Sequence, residues 1–119
     1  MNKFQVIFLT EAREFLLLLD EKSREKVIFN IDKAKIKSDV ELFKKLKGNI
    51  WEFRTLYNKS HFRIFAFWDT NQLDHALVVT SHGIIKKTKK TPEKEIEKAE
   101  KIRLQYFKIK NIEKHGNKK

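Results

Sequence analysis

The chain has 119 residues, no cysteine, and 27 Lys+Arg against 16 Asp+Glu, a formal charge of +11. At that length one domain spanning residues 1–119 is expected, burying about two-thirds of its unfolded surface. Without cysteine there are no disulfides, thiolate metal sites or cysteine nucleophiles, and no apolar run approaches the ~20 residues of a membrane span. The positive excess favours a polyanionic partner such as nucleic acid, a ribosome or an acidic protein. A lysine-rich proteome would leave the same excess, so charge alone does not decide.

Lys3 to Leu9 reads as a strand whose two faces, Phe4, Val6 and Phe8 against Ile7 and Leu9, are both apolar, which predicts cover on both sides. So short an apolar stretch after Met1-Asn2-Lys3 does not read as a signal peptide, and the cytoplasm is the expected compartment. Thr10 is a candidate N-cap for a helix to about Leu19 with Ala12, Phe15, Leu16 and Leu19 as its stripe. Leu17 and Leu18 widen that stripe and predict deep burial. Asp20 is placed to cap a second helix to about Lys37, with Val27, Ile28, Ile31 and Ala34 at helical spacing, so the two form an αα-hairpin. Ser38-Asp39 then caps a short helix or turn from Val40 to Leu46, closed by Gly48.

Three strands follow. Ile50 to Tyr57 places Trp51, Phe53 and Thr55 on one face and Glu52 and Arg54 on the other. Asn58-Lys59-Ser60 is turn chemistry. His61 to Trp68 places Phe62, Ile64, Ala66 and Trp68 on one side, with Arg63 opposite them between His61 and Phe65. After a second turn, Asp69 to Gln72, a strand from Leu73 to His82 stops at Gly83. The run Lys86-Lys87-Thr88-Lys89-Lys90 leads to Thr91 as N-cap and Pro92 as first residue of a helix to about Lys108. That helix carries Ile96, Ala99, Arg103 and Tyr106 on one face, and residues 109–119 read as a frayed basic tail.

The order β-α-α-β-β-β-α predicts an α+β fold: a small antiparallel sheet with the αα-hairpin on one face and the C-terminal helix completing it. The sheet face away from the hairpin then carries Glu52, Arg54, Arg63 and, by parity, Thr80 and His82. Charges inside apolar strands need water or a partner, and a phosphate fits the guanidinium fork.

Three runs make a more specific pattern: Leu46-Lys47-Gly48-Asn49-Ile50-Trp51-Glu52-Phe53-Arg54, Phe62-Arg63-Ile64-Phe65, and His82-Gly83-Ile84-Ile85-Lys86-Lys87-Thr88-Lys89-Lys90-Thr91-Pro92. With the element order, they resemble the phage-derived Gp49-like branch of HigB toxins within the RelE/ParE toxin superfamily, over nearly the whole chain. The resemblance implies a RelE/ParE-like fold and the toxin of a type II toxin–antitoxin pair. The implied activity is ribosome-dependent, metal-independent cleavage of mRNA by attack of a ribose 2′-OH on the adjacent phosphate, with no cofactor. The implied partners are mRNA, the ribosome and a co-encoded antitoxin, commonly helix-turn-helix, through which a toxin–antitoxin oligomer binds operator DNA.

Carried onto this sequence, the resemblance assigns Arg54 and Arg63 as the strand arginines, Glu52 and His82 as flanking polar positions, and Lys86 and Lys87 as the basic pair after the strand. The C-terminal tyrosine that RelE-type relatives often use has no clear equivalent, since Tyr106 falls on the packing face.

Each site has a plainer reading. Arg54 and Arg63 clamp phosphate or pair with Glu52 or Asp69. Glu52 accepts the 2′-OH proton or, as its cationic surroundings favour, orients Arg54. His82 is a general acid or base, or a strand-end histidine bonded to backbone. Lys86, Lys87, Lys89 and Lys90 bind RNA phosphates or form a solvated loop. His61, His75 and His115 lack metal-ligand spacing, so no metal site is expected. Two other functions share the expected fold: a ParE-like inhibitor of DNA gyrase, and a non-catalytic RNA- or antitoxin-binding module. Arg63→Ala is expected to abolish toxicity without unfolding the chain.

Overall fold

The computed structural model describes residues 3–69 and 76–116. Their elements are β1 (Gln5–Phe8), α1 (Thr10–Leu18), α2 (Glu21–Ile36), β2 (Phe43–Lys45), β3 (Trp51–Tyr57), β4 (Ser60–Asp69), β5 (Leu77–Lys86) and α3 (Glu93–Gly116). The fold is α+β, as the strand and helix periodicities predict. The sheet is mixed rather than antiparallel, with five strands in the order β1-β5-β4-β3-β2 and β1 parallel to β5.

Alternation in β3 and β4 builds two cores. The face toward the αα-hairpin gathers Phe53, Phe62, Ile64, Ala66 and Val78 against Leu16, Leu19, Val27, Ile31 and Ala34. Phe43 anchors its aromatic centre, 4.3 Å from Phe53 and 4.8 Å from Trp51 between ring centroids. The other face gathers Phe65, Phe67 and Val79 under Ile96, Ala99, Tyr106 and Phe107 of α3. A buried side chain of this size contributes about 1.5–3 kcal/mol, so burial on both faces holds the sheet. Polar pins then fix α3: Tyr106 donates to Asp69 Oδ2 at 2.7 Å, and Lys110 bonds the same carboxylate.

Several boundaries differ from the sequence reading for identifiable reasons. β1 is an edge strand whose Phe4, Val6 and Phe8 side packs on the hairpin core; on the opposite side Leu9 packs on the second core but Ile7 is 40% exposed, so that face is covered only in part. Leu17 and Leu18 end α1 pointing outward and are exposed, whereas Ala12, Phe15, Leu16 and Leu19 turn inward. The cap position of α1 is Leu9 rather than Thr10, and Asp20 at the start of α2 makes no side-chain cap bond. Asp39 does hold a turn, accepting the Glu41 amide at 2.9 Å, but the chain then enters strand β2 instead of a helix. Gly48, at φ +60°, turns β2 back into β3. The β3–β4 hairpin has Asn58 and Lys59 both at positive φ, the two-residue turn that matches strand twist. The start expected for the third hairpin strand, and the turn before it, fall partly outside the described residues. α3 runs to Gly116, so residues 109–116 are helix rather than frayed tail.

β5 continues through Gly83 to Lys86. Glycine there answers to packing, because an added Cβ would lie 2.4–2.6 Å from the Phe15 ring of α1. Just before it is a β-bulge. Ala66 pairs with Thr80 and Ile64 with Gly83, so Ser81 and His82 both oppose Phe65. The extra residue separates Thr80 from His82. Thr80 lies opposite Ala66 and bonds the Ile7 carbonyl at 2.9 Å, whereas His82 stacks on Phe65 at 4.8 Å. The expectation that both face the arginines is corrected for Thr80. Among the described residues no helix is long and apolar enough to cross a membrane.

Gly83→Ala is expected to lower stability by about 1–3 kcal/mol, and Phe15→Leu in the same chain to restore part of it. Urea denaturation checks both, and a wild-type midpoint for Gly83→Ala would show that the Phe15 contact does not constrain β5.

Candidate nucleic-acid interface

The hairpin register sets Arg54 directly opposite Arg63, on the face away from the αα-hairpin. Two like charges so placed need an anion between them. Glu52, two residues before Arg54 on the same face, supplies it. Its Oε1 lies 3.4 Å from Arg63 Nε and its Oε2 3.6 Å from Arg54 Nε, with side-chain exposures of 3% for Glu52, 2% for Arg63 and 10% for Arg54. Burial pulls the Arg63 guanidinium below its usual value, Glu52 pulls it back up, and Arg54 adds to the fall.

This network reaches out to the loops. Arg54 Nη1 donates to the Val40 carbonyl at 3.4 Å and lies 3.7 Å from Glu41 Oε2. Arg63 Nη2 donates to the Lys89 carbonyl at 3.2 Å. Thr91 Oγ1 donates to Glu52 Oε1 at 2.8 Å, so the hydroxyl expected to cap the last helix is spent on the carboxylate instead. The Nε–H groups of both arginines are buried without a hydrogen bond. They are held by charge at a distance, which leaves each guanidinium short of donors' full satisfaction.

The segment from Lys86 to Thr91 is thereby drawn over the arginines. Lys86 staples it from beneath, donating to Thr88 Oγ1 at 2.9 Å and to the Lys90 carbonyl. Lys87 turns the other way and donates to Ser60 Oγ at 2.9 Å. Between this segment and β2 lies an open groove of about 570 Å3, lined by Lys44, Lys45, Leu46, Lys47, Glu52, Arg54, Lys89, Lys90, Thr91 and Ile96. Five lysines, an arginine and one carboxylate line it. Lys47 is paired with Glu93 at 2.8 Å and Arg54 lies near Glu41, while Glu52 is already shared by two guanidinium groups, so Lys44, Lys45, Lys89 and Lys90 supply the excess. Such a wall attracts a polyanion.

The site residues expected from sequence therefore divide. Glu52, Arg54, Lys89 and Lys90 meet in the groove. Arg63 joins them from below but is sealed by the Lys89 backbone, so it positions the segment and its neighbours rather than meeting solvent. Arg63→Ala would remove a buried charge from this network together with the donor to the Lys89 carbonyl. Lys86 and Lys87 hold loops in place. His82 does not line the groove. It is 2% exposed, with Nε2 3.0 Å from Glu95 of α3 and Nδ1 3.1 Å from Ser81 Oγ. Burial holds its imidazole below the ordinary value, against the Glu95 hydrogen bond that raises it, and Lys98 adds to the lowering. The placement expected for a general acid or base is corrected to a pin between β5 and α3.

Lys44, Lys45 and Lys47 escaped the sequence reading. They sit beside the arginines only because β2 pairs with β3, Lys44 opposite Glu52. A three-residue strand has too little alternation to announce itself. Among the described residues no group of three or more His, Asp or Glu side chains could hold a metal ion. A family model described as "Phage derived protein Gp49-like (DUF891)" matches residues 14–104. No curated protein matches the chain.

Glu52→Gln is expected to cost about 3–5 kcal/mol, since it strips the counter-charge from two buried arginines; a loss under about 1 kcal/mol in urea titration would contradict that reading. The depressed His82 pKa has a definite sign: stability is full above the unfolded value of 6.5 and falls as pH drops from there toward the folded value. The difference in unfolding free energy between wild type and His82→Gln should therefore change with pH below 6.5 and stay flat above it. A difference flat across pH 5–7 would refute it.

Proposed function

The chain belongs to the phage-derived Gp49-like family, and on that premise we propose that it is the toxin of a type II toxin–antitoxin system that cuts mRNA on the ribosome. The family is toxin-like and is associated with RNase-like proteins. One observation supports the reading above the others: the cationic groove in which Arg54, Lys89, Lys90, Lys44 and Lys45 surround a carboxylate that is already neutralised. A single-stranded backbone presents one phosphate per nucleotide, and a groove lined by several ammonium groups and a guanidinium suits such a polyanion.

In this reading the ribose 2′-OH attacks the adjacent phosphorus, the P–O5′ bond breaks, and a 2′,3′-cyclic phosphate and a 5′-hydroxyl leave. The attacking hydroxyl gives up a proton and the departing 5′-oxygen takes one. Arg54 and the lysines of the groove bind the non-bridging oxygens and stabilise the extra charge of the pentacoordinate transition state. Arg63 and Glu52 keep Arg54 and the segment carrying Lys89 in register. The protein works in the cytoplasm with a RelE/ParE-like fold, and an acidic segment of a co-encoded helix-turn-helix antitoxin silences it by covering the groove. A toxin–antitoxin oligomer then meets operator DNA through the antitoxin.

Induction in cells, followed by mapping of mRNA 5′ ends, is expected to show new 5′-hydroxyl ends within translated frames. Arg54→Ala should remove them. Intact mRNA with inhibited supercoiling would instead favour a ParE-like gyrase inhibitor, and intact mRNA with retained RNA binding a non-catalytic module. For RNA affinity, replacing Lys89 and Lys90 together by Ala should make the slope of log K against log salt shallower by about 1.4, two phosphate contacts on a single strand. An unchanged slope would place the RNA elsewhere.

A further inference from the structure

With His82 committed to Glu95, the proposed cleavage lacks a group to take the 2′-OH proton. The arginine face holds a second histidine. His61 lies on β4 two residues before Arg63, opposite Leu56 on β3 and Lys86 on β5, and so shares the face of Arg54 and Arg63. Its ring is half-buried at the edge of the network, and no hydrogen bond or ion pair to a described residue holds it. Lys87 is drawn away to Ser60, while Lys86, opposite His61, spends its ammonium on Thr88 and the Lys90 carbonyl and still acts on the ring by its field.

We propose that His61 is the general base of the cleavage, accepting the 2′-OH proton of a ribose whose 3′-phosphate is held by Arg54. The proposal rests on the RNA-cleaving reading above. Proton accounting is closed by water, which returns a proton to the departing 5′-oxygen.

The surroundings suit the task. Partial burial and then the fields of Arg63, Lys86, Arg54 and Lys89 hold the imidazole below its ordinary value, so it is neutral and ready to accept at pH 7. Those four are the charged groups facing it from β4, β5, β3 and the following segment. Binding a phosphodiester among the same cations offsets part of their field and raises the imidazole's basicity when substrate is present. A free ring at the border of a phosphate-binding surface differs in this from His82, whose two nitrogens are both engaged.

The test uses the purified full chain with ribosomes carrying a defined mRNA, and follows single-turnover cleavage from pH 5 to 8. Wild type should lose rate as pH falls through the imidazole range. His61→Gln should cut about 10²–10³-fold more slowly at pH 7, lose that acidic limb, and bind a 2′-deoxy-substituted RNA within about threefold of wild type. His61→Asn and a thermal melt of both variants guard against a folding defect; both variants should melt like wild type. A His61→Gln enzyme with wild-type rate and pH profile would overturn the assignment while leaving RNA cleavage intact. No cleavage by wild type would overturn both readings. A variant that loses rate only in proportion to lost RNA binding would make His61 a binding residue and overturn its role as base.

Discussion

A single carboxylate between two buried guanidinium groups is the constraint on which the functional face depends. The tight hairpin at Asn58-Lys59 forces Arg54 and Arg63 into direct opposition. Their repulsion in a poorly hydrated layer would open the sheet if Glu52 were not within 3.4–3.6 Å of both. Glu52 does more than neutralise. Its hydrogen bond from Thr91 and the bond from Arg63 to the Lys89 carbonyl draw the chain after β5 across the arginines. Fold and charge are thus coupled: the same three residues that would be costly alone set the position of the segment that carries Lys89 and Lys90.

The sheet supplies two differently used faces. Toward α1 and α2 it is sealed by aromatic and aliphatic packing, with Phe15 pressed so closely on β5 that only glycine fits at position 83. Toward α3 it is divided. Phe65, Phe67 and Val79 take the helix, while the ends of β3 and β4 nearer the hairpin turn stay free of it and carry the arginines. His82 lies on the helix side of that division and His61 on the arginine side. The division explains why two histidines on one sheet face have different environments and different uses.

The face of Glu52, Arg54 and Arg63 was legible because strict alternation runs through Ile50–Tyr57 and His61–Trp68 and a two-residue turn leaves one register. The helices of the αα-hairpin were legible for the same reason, at a different period. What alternation cannot carry was lost. The bulge at Ser81-His82 shifts parity by one and moved Thr80 to the opposite face. Gly83 reads as a strand end, yet its role is to admit the Phe15 ring, a contact across the fold. Phe43-Lys44-Lys45 is too short for a period, so its lysines joined the groove unannounced. Thr91 before Pro92 carries the local signature of a cap, but a buried carboxylate competes for its hydroxyl and wins it. The residues after Lys108 read as a frayed basic tail, although Ile109 and Ile112 continue the helix and Lys110 reaches Asp69.

The central claim, that this groove holds a single-stranded RNA backbone with Arg54 at its floor, is open to one direct measurement. Titration of the 15N-labelled chain with a short, 2′-deoxy-substituted RNA can be followed through arginine Nε–H and lysine Nζ resonances. Saturable shifts are expected at Arg54, Lys44, Lys45, Lys89 and Lys90, with the residues of α1 and α2 unmoved. Shifts confined to the αα-hairpin or to the C-terminal half of α3, or no saturable shift at all, would contradict it.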